Sequence, residues 1–327
     1  MDEPTPPSKR QLARAEKVVL IREREEKGSL DIGCLIRPLA RCHFPMTNPR
    51  KLPTPNQYIR RDGDREIKLV TTSTKYCLPY GNDLVALYGL CTRGRELYKE
   101  FKNEWDGIVS FSSTAEMLRY FGDPPTKQYY KRRMDSLLRL WHARLEIVDT
   151  LDRVGGSVKR KYDKADFLKS VTAWFQLEER QLGMAFQNVI QFTPEMIQWI
   201  RQAPLFEDDK IFVLKQCVGA LQLYLLLRDR CAQEDLLKKD HGWIPVHGPN
   251  SLESQLGWVQ PQTARKVRWQ INRWLEVIRS VWPNCPHELH EGHDGNVRLL
   301  LHYCAPVTVR TRRPASRTSG RDAGMNG

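Results

Sequence analysis

Residues 111–162 read FSSTAEMLRYFGDPPTKQYYKRRMDSLLRLWHARLEIVDTLDRVGGSVKRKY, and this stretch decides the fold. Ser112 or Ser113 is expected to cap a short helix, because a hydroxyl there accepts a free amide of the first turn. Residues 122–125 (GDPP) end that helix. A second helix of about twenty residues begins at Thr126, since apolar residues then recur at helical spacing. The stretch therefore predicts two helices joined by a tight turn.

The predicted long helix has two chemically different faces, because successive side chains are separated by about 100°. Its apolar face consists of Tyr130, Met134, Leu137, Leu138 and Trp141. The residues that point the other way are basic or polar, namely Gln128, Tyr129, Arg132, Arg133, Ser136 and Arg139. A short helix followed by a basic one is typical of the helix-turn-helix, which places its second helix in the DNA major groove.

A basic ribbon is predicted to follow the long helix. Residues 145–148 and the chain from Val158 onward can pair around Gly155 and Gly156, because glycines supply the positive φ that hairpin turns need. The ribbon runs into the basic residues 159–161 (KRK). Together with the two helices it predicts a winged helix that binds DNA. The alternative is that the basic face is only a solvated surface.

Length and charge indicate the class of partner. With 327 residues, of which 40% are hydrophobic, the chain is long enough for two domains with buried cores. Its formal net charge of +13 attracts polyanions, nucleic acid first and an anionic membrane second. No apolar run approaches the roughly 18 to 20 residues of a membrane-spanning helix. No signal peptide is visible, so we expect a cytoplasmic protein without a membrane partner.

The cysteines predict reduced thiols. All eight are scattered without CxxC pairs, so neither a disulfide framework nor a zinc ribbon is expected. Cys34, Cys42 and His43 form a C-x7-C-H pattern that lacks the usual spacing of zinc ligands. We therefore predict no metal site and no cofactor.

Four further predictions concern the chain before the long basic helix. Residues 1–56 combine a charged N-terminal helix with an irregular arm. Residues 66–73 are strand-like, and Asp83 can cap the first core helix. Residues 108–111 are expected to supply a small third strand to the winged helix.

The order of elements repeats in the second half of the chain. The predicted elements are strands at 166–175 and 188–192, a helix from Pro194 through Arg201, a long apolar helix at 211–231, a short helix at 251–256 ended by Gly257, a long helix opening near Pro261, and a ribbon at 287–302. The Asp294-Gly295 turn between apolar runs is a strong hairpin signal.

The long helix near Pro261 is a second candidate recognition helix. Its apolar face comprises Val267, Ile271, Trp274, Leu275 and Ile278. Its other face is mostly basic or polar and comprises Gln262, Arg265, Lys266, Trp269, Asn272 and Arg273. Trp269 is interpreted as packing against the other domain, with stacking on a sugar or base as the alternative.

The sequence thus predicts an α+β chain, mainly α with small β-ribbons, that contains tandem winged-helix domains. The predicted domains are 1–56 (charged helix and arm), 57–165 (winged helix 1), 166–309 (linker strands and winged helix 2) and 310–327 (disordered Arg-rich tail). The expected base readers are Gln128, Arg132, Arg133, Gln262, Arg265, Lys266 and Asn272. The expected phosphate contacts are Lys127, Lys131, Arg139, Arg153, Lys159, Arg160, Lys161 and Arg273. Tyr129, Ser136 and Trp269 complete the predicted DNA-binding set.

Several short motifs, in this order, resemble the plasmid-encoded RepA replication initiator family. They are residues 78–81 (LPYG) running into a helix that ends at 90–92 (LCT), then 192–193 (FT), 221–225 (LQLYL), 252–257 (LESQLG) and 275–283 (LEVIRSVWP). The resemblance covers about residues 72–307 and has no counterpart in the N-terminal region or the tail. It implies two winged-helix domains that bind repeated sites at a plasmid origin, assist its opening and recruit a host initiator and helicase. Autorepression and a homodimer are further implications.

Catalytic alternatives have little support in the sequence. A nicking initiator usually needs paired histidines and a nucleophilic tyrosine, whereas His287, His290 and His293 lie on a predicted ribbon that does not bring all three to one face. No GxxxxGK[ST] loop occurs, so ATP hydrolysis is not indicated. We therefore predict a protein that is not an enzyme. The rival interpretations are a winged-helix transcriptional regulator without an initiator role and an RNA-binding or interaction scaffold.

Overall fold

The computed structural model describes residues 32–51, 56–62, 65–154, 157–172, 188–239, 241–248, 251–258, 263–292 and 296–307. The predicted N-terminal charged helix, the predicted tail, the Gly155-Gly156 tip and the Asp294-Gly295 turn lie outside these ranges. The side chains of residues 149–162 are also outside the description, although most of their backbone is included.

Helices and small antiparallel sheets alternate along the chain. The helices are α1 (Arg37–Arg41), α2 (Asp83–Phe101), α3 (Thr114–Tyr120), α4 (Lys127–Trp141), α5 (Pro194–Arg201), α6 (Asp208–Leu214), α7 (Val218–Cys231), α8 (Glu234–Lys239), α9 (Leu252–Gln255) and α10 (Ala264–Arg279). The strands are β1 (Ile32–Cys34), β2 (Gln57–Asp62), β3 (Arg65–Thr71), β4 (Ile108–Phe111), β5 (Ala143–Val154), β6 (Ser157–Asp166), β7 (Leu168–Thr172), β8 (Asn188–Phe192), β9 (Leu205–Glu207), β10 (His241–Pro245), β11 (Glu288–Glu291) and β12 (Val297–His302). The predicted α+β class is confirmed.

The strands of the described ranges form four small sheets. Their orders are β1-β9, β10-β12-β11, β2-β3-β5-β6 and β4-β8-β7, and every pairing is antiparallel. Two of these sheets combine strands that are far apart in sequence. The segment 166–309 contributes β8 to the sheet of β4, and it contributes β9 to the sheet of β1.

The first helix–helix–ribbon unit runs from α2 through β6. Ser113 is the cap of α3, since its Oγ accepts the Glu116 amide at 3.1 Å. Gly122 follows the end of α3 and begins the turn with a φ of +62°, a conformation that residues other than glycine rarely adopt. β5 and β6 form the predicted ribbon. The prediction for β4 was wrong in its partner, because β4 pairs with β8 while the ribbon extends the β2-β3 pair.

The second unit repeats this order from α7 through β12. Here the strand before the short helix, β10, does pair with the ribbon strand β12, giving a three-stranded sheet. The helix predicted over 211–231 is divided into α6 and α7. The break lies beside Lys215, whose ammonium donates to the backbone oxygens of Phe121 and Gly122. The helix is therefore interrupted at the position where Lys215, from the second half of the chain, contacts the turn between α3 and α4 in the first half.

Most side chains of residues 34–45 are buried in the core, so the prediction of an irregular arm was wrong for this segment. Cys34, Leu35, Ile36 and Phe44 are fully buried. The side-chain amide of Gln222 in α7 also donates to the Phe44 carbonyl at 2.7 Å. The segment contains only short apolar runs between prolines, and these give no periodic signal to read.

A single hydrophobic core extends through both units. Helix α7 is buried on nearly all sides, as its apolar sequence predicts, and its Gly219 leaves room for the Trp274 ring of α10. All eight cysteines are free thiols. Within the described ranges, no helix has both the length and the apolarity needed to span a membrane. The domain boundaries proposed above remain predictions.

Two buried histidines make the stability of this core depend on pH. Burial lowers the pKa of His43 from 6.5 to about 3 and that of His287 from 6.5 to about 4. Below pH 6.5 the unfolded chain binds protons that the folded chain excludes, so stability is lost as the pH falls from 6.5 toward these values. Together the two histidines should make the free energy of unfolding about 2–3 kcal/mol lower at pH 5.5 than at pH 8.

Urea unfolding at pH 8 and pH 5.5 measures this loss. The glutamine of His43→Gln cannot titrate. In this variant the free energy of unfolding should therefore differ between pH 8 and pH 5.5 by about 1.4 kcal/mol less than in the wild type. An unchanged difference would show that His43 is protonated equally in both states.

Candidate nucleic-acid interface

Helix α4 is held from several sides, and this determines which of its residues can meet a ligand. Tyr130, Met134 and Leu137 of the expected apolar face are buried. The other two expected members differ, since Leu138 is half-buried and Trp141 is exposed, while Leu140 is buried instead. Helices α2 and α3 and strands β5 and β7 all contact α4. Only a narrow stripe of α4 therefore remains exposed.

The exposed stripe of α4 is mainly cationic and lies in its first two turns. Lys127, Gln128, Lys131 and Arg132 are exposed, and the acidic residue Asp135 follows one turn after Lys131. These four residues belong to the predicted DNA-binding set. Their exposure meets the first requirement for a groove contact, and their role stays a prediction.

Arg133 is buried, so its predicted role as a base reader was wrong. Only 2% of its surface is accessible. It forms an ion pair with Asp123, and its Nη1 donates to the Asn82 carbonyl at 2.7 Å. The Lys215 ammonium binds the same carboxylate. Although burial alone would raise the pKa of Asp123, the two cations outweigh it and lower that pKa below its ordinary value.

The prediction that Ser136 and Arg139 contact DNA was also wrong. Ser136 is 1% exposed, and its hydroxyl donates to the Arg132 carbonyl at 3.1 Å. Arg139 donates from Nε and Nη2 to the carboxylate of Asp83, at 2.6 and 2.7 Å, and lies over the Tyr80 ring. A helical wheel separates apolar from polar residues, but it cannot show that the partner acids lie on α2 and on the turn before α4.

Arg132 and Arg133 provide a matched pair of substitutions at neighbouring positions. Arg133→Ala should lower the free energy of unfolding by about 3–5 kcal/mol, because it leaves part of a buried charge cluster uncompensated. Arg132→Ala should cost less than about 1 kcal/mol, because that side chain is exposed. Urea denaturation of both variants measures the two losses, and equal losses would contradict the burial of Arg133.

Helix α10 presents the second basic surface. Thr263 caps it by accepting the Lys266 amide at 3.4 Å. Its buried face contains all five apolar residues expected from the sequence. The predicted contacts Arg265, Lys266, Trp269, Asn272 and Arg273 are all exposed.

Trp269 is 58% exposed, so the interpretation that it packs against another domain was wrong. The Arg273 guanidinium lies 5.5 Å from the centre of its ring. Arg268 on the same helix is instead drawn to the ribbon, where it donates to Glu291 at 2.6 Å. A large aromatic ring thus lies uncovered within the basic surface of α10.

Some predicted contacts lie where the structure gives no side-chain description. Gln262 is outside the described residues. Arg153, Lys159, Arg160 and Lys161 lie on the β5-β6 ribbon, of which only the backbone is described at these positions; Arg160 is paired with Thr150 there. Their contacts with phosphate stay predictions.

The two described histidines of the second ribbon, His287 and His290, lie in different environments. His287 is fully buried, with its Nε2 3.9 Å from the Cys304 Sγ, whereas His290 is on the surface and contacts Glu288. His293 is outside the described residues. Across the described part of the chain, no three His, Cys, Asp or Glu side chains are arranged to hold a metal ion.

A cleft of about 740 Å³ has no lining residue from α4 or α10. Arg37, Arg41, Arg228 and Asp229 line it. Two of these arginines, Arg37 and Arg41, bind Asp229. Its polar walls differ from the mostly apolar lining of a small-molecule site.

The described chain is therefore an α+β protein in which two units each combine a short helix, a long basic helix and a ribbon. No protein-family model and no curated protein matches the sequence. Among solved structures, a crystal structure of domains 2 and 3 of RctB is similar, with a TM-score of 0.51 and 14% identity, over 81% of this chain and 98% of that one. A second structure of the same domains has a TM-score of 0.46 and 14% identity, over 80% and 95% of the two chains. At this identity the likeness concerns the fold.

Proposed function

We propose that this protein is a DNA replication initiator that binds double-stranded DNA through α4 and α10. The observation that supports it best is the repeated arrangement of a short helix, a long helix with an exposed cationic stripe, and a ribbon. The fold is similar to domains 2 and 3 of RctB, a replication initiator of Vibrio chromosome 2. A net charge of +13 favours the same partner.

In this proposal α4 and α10 enter successive major grooves, roughly 34 Å apart. Arg132 and Arg265 donate to guanine, and Gln128 and Asn272 bond adenine. The cations of the β5-β6 ribbon contact phosphates without choosing a sequence. Joining two readers in one chain raises affinity, because the second contact becomes intramolecular.

The resemblance to the RepA family extends this proposal to a plasmid origin. The chain would bind repeated sites there, assist opening of the duplex and recruit a host initiator and helicase in the bacterial cytosol. A homodimer and autorepression belong to the same proposal. A transcriptional regulator would use the same two helices without supporting replication.

We further propose that the protein catalyses no step on DNA. Tyr130, one of two neighbouring candidate nucleophiles, is 2% exposed and belongs to the core. Incubation with supercoiled origin plasmid and Mg²⁺ should leave the plasmid closed. Appearance of nicked circles that depend on Tyr129 would overturn this part of the proposal.

Alanine substitutions should separate base readers from phosphate contacts. Arg132→Ala or Arg265→Ala should cost about 1–3 kcal/mol on a selected duplex and little on a random one, because a bidentate contact to one base is lost. Lys159→Ala, Arg160→Ala or Lys161→Ala should weaken both duplexes equally. Fluorescence anisotropy at several salt concentrations measures both classes. Equal losses on the two duplexes for Arg132→Ala would contradict its role.

A replication assay separates an initiator from a regulator. A plasmid with the DNA that flanks this gene should replicate when the chain is supplied and fail when it is absent. The Arg132→Ala, Arg265→Ala double variant should also fail, because both helices lose a base contact. Replication without the chain, together with altered transcription, would support the regulator instead. In the anisotropy experiment, tighter binding to RNA than to the selected and the random DNA duplex would support the RNA-binding scaffold.

A further inference from the structure

Each of the two basic helices has an exposed arginine placed over an aromatic ring of the same helix. On α4 the Arg132 guanidinium lies 5.5 Å from the centre of the Tyr129 ring. On α10 the Arg273 guanidinium lies 5.5 Å from the centre of the Trp269 ring. Both distances fall within the range of a cation–π contact.

The helical spacing explains both contacts. The arginine follows its ring by three residues on α4 and by four on α10, and residues so separated are neighbours on a helix surface. Side chains on a helix lean toward its N-terminus, so each guanidinium reaches back over the preceding ring. An arginine held in this way loses less conformational entropy when it binds a ligand.

The two rings differ in their exposure, and this difference separates their roles. Tyr129 is half-buried and packs against the hydrophobic core, so it supports Arg132 from beneath. Trp269 is 58% exposed, so its ring can itself touch a ligand. Its neighbours on the exposed face of α10 are cationic or amide side chains, Arg265, Lys266 and Asn272 among them.

We propose that Trp269 and Arg273 act as one unit that reads a thymine next to a guanine in the major groove. The Trp269 ring packs on the thymine methyl group, and Arg273 donates to N7 and O6 of the adjacent guanine. Tyr129 only positions Arg132, which reads a guanine alone. This inference rests on the proposed function, and it moves Arg273 from the phosphate contacts to the base readers.

The test begins with a duplex that the wild-type, full-length protein selects from a random library. Each thymine is then replaced by deoxyuridine, which removes only the methyl group, and each guanine by 7-deazaguanine, which removes N7. Anisotropy gives the affinity of the wild type for every probe. One thymine and its neighbouring guanine should each show a loss of about tenfold.

Three variants then show which side chain accounts for each loss of affinity. Trp269→Ala should bind the selected duplex about tenfold more weakly and become insensitive to the loss of that methyl group. Arg273→Met should become insensitive to 7-deazaguanine at the adjacent position, because methionine has a similar length but no N–H group to donate to N7. Tyr129→Leu is the matched control from α4, and it should keep the full sensitivity to the missing methyl group. Circular dichroism confirms that each variant is folded.

The outcomes are distinguishable. If Trp269→Ala responds to the missing methyl group as strongly as the wild type does, the inference is overturned while the proposed function stands. The same holds if no thymine shows a methyl effect. If the wild type enriches no duplex from the library, the proposed function and this inference fall together.

Discussion

The buried contact of Asp123 with Arg133 and Lys215 is the constraint on which the arrangement of the first basic helix depends. Taking these charges out of water is costly, and only close pairing with further hydrogen bonds offsets that cost. The cluster supplies both, since the two cations also bind the carbonyls of Asn82, Phe121 and Gly122. It joins the turn before α4, the helix itself and the α6–α7 break. The outward direction of Arg132 therefore depends on a residue of the second half of the chain.

A second ion pair fixes the other end of α4. Arg139 binds Asp83 at the start of α2, with the Tyr80 ring against its guanidinium. Burial alone would lower the pKa of Arg139, but its bonds to Asp83 outweigh burial and raise that pKa above its ordinary value. The cations of α4 thus fall into two groups. Those near its outer stripe face the solvent, and Arg133 and Arg139 hold the helix in place.

Most of the elements could be predicted from the sequence, because their signals are local. The Ser113 cap, the glycine turn at 122 and the apolar spacing of α4 and α10 depend on neighbours within a few residues. The partner of β4 and the burial of residues 34–45 depend on contacts that are distant in sequence, and periodicity does not report these.

The candidate site could be predicted only in part. The helical wheel identified the exposed residues of α10 correctly, because this helix packs on the core through a single apolar face. It failed for Arg133, Ser136 and Arg139, because α4 is surrounded on several sides and its charged residues are neutralised by acids on other elements. The Arg273–Trp269 contact follows a spacing that the sequence contains, and the wheel places the ring on the outer face, but only the structure shows that no described element covers it.

The pairing of β4 with β8 and of β1 with β9 also bears on how such a protein can diversify. Recombination that replaced one half of the chain by the half of another protein would have to preserve these two sheets, because each of them contains strands from both halves. Point substitutions on the outer stripes of α4 and α10 disturb no such pairing. New target sequences are therefore more accessible to this architecture through gradual drift of surface positions than through shuffling of modules.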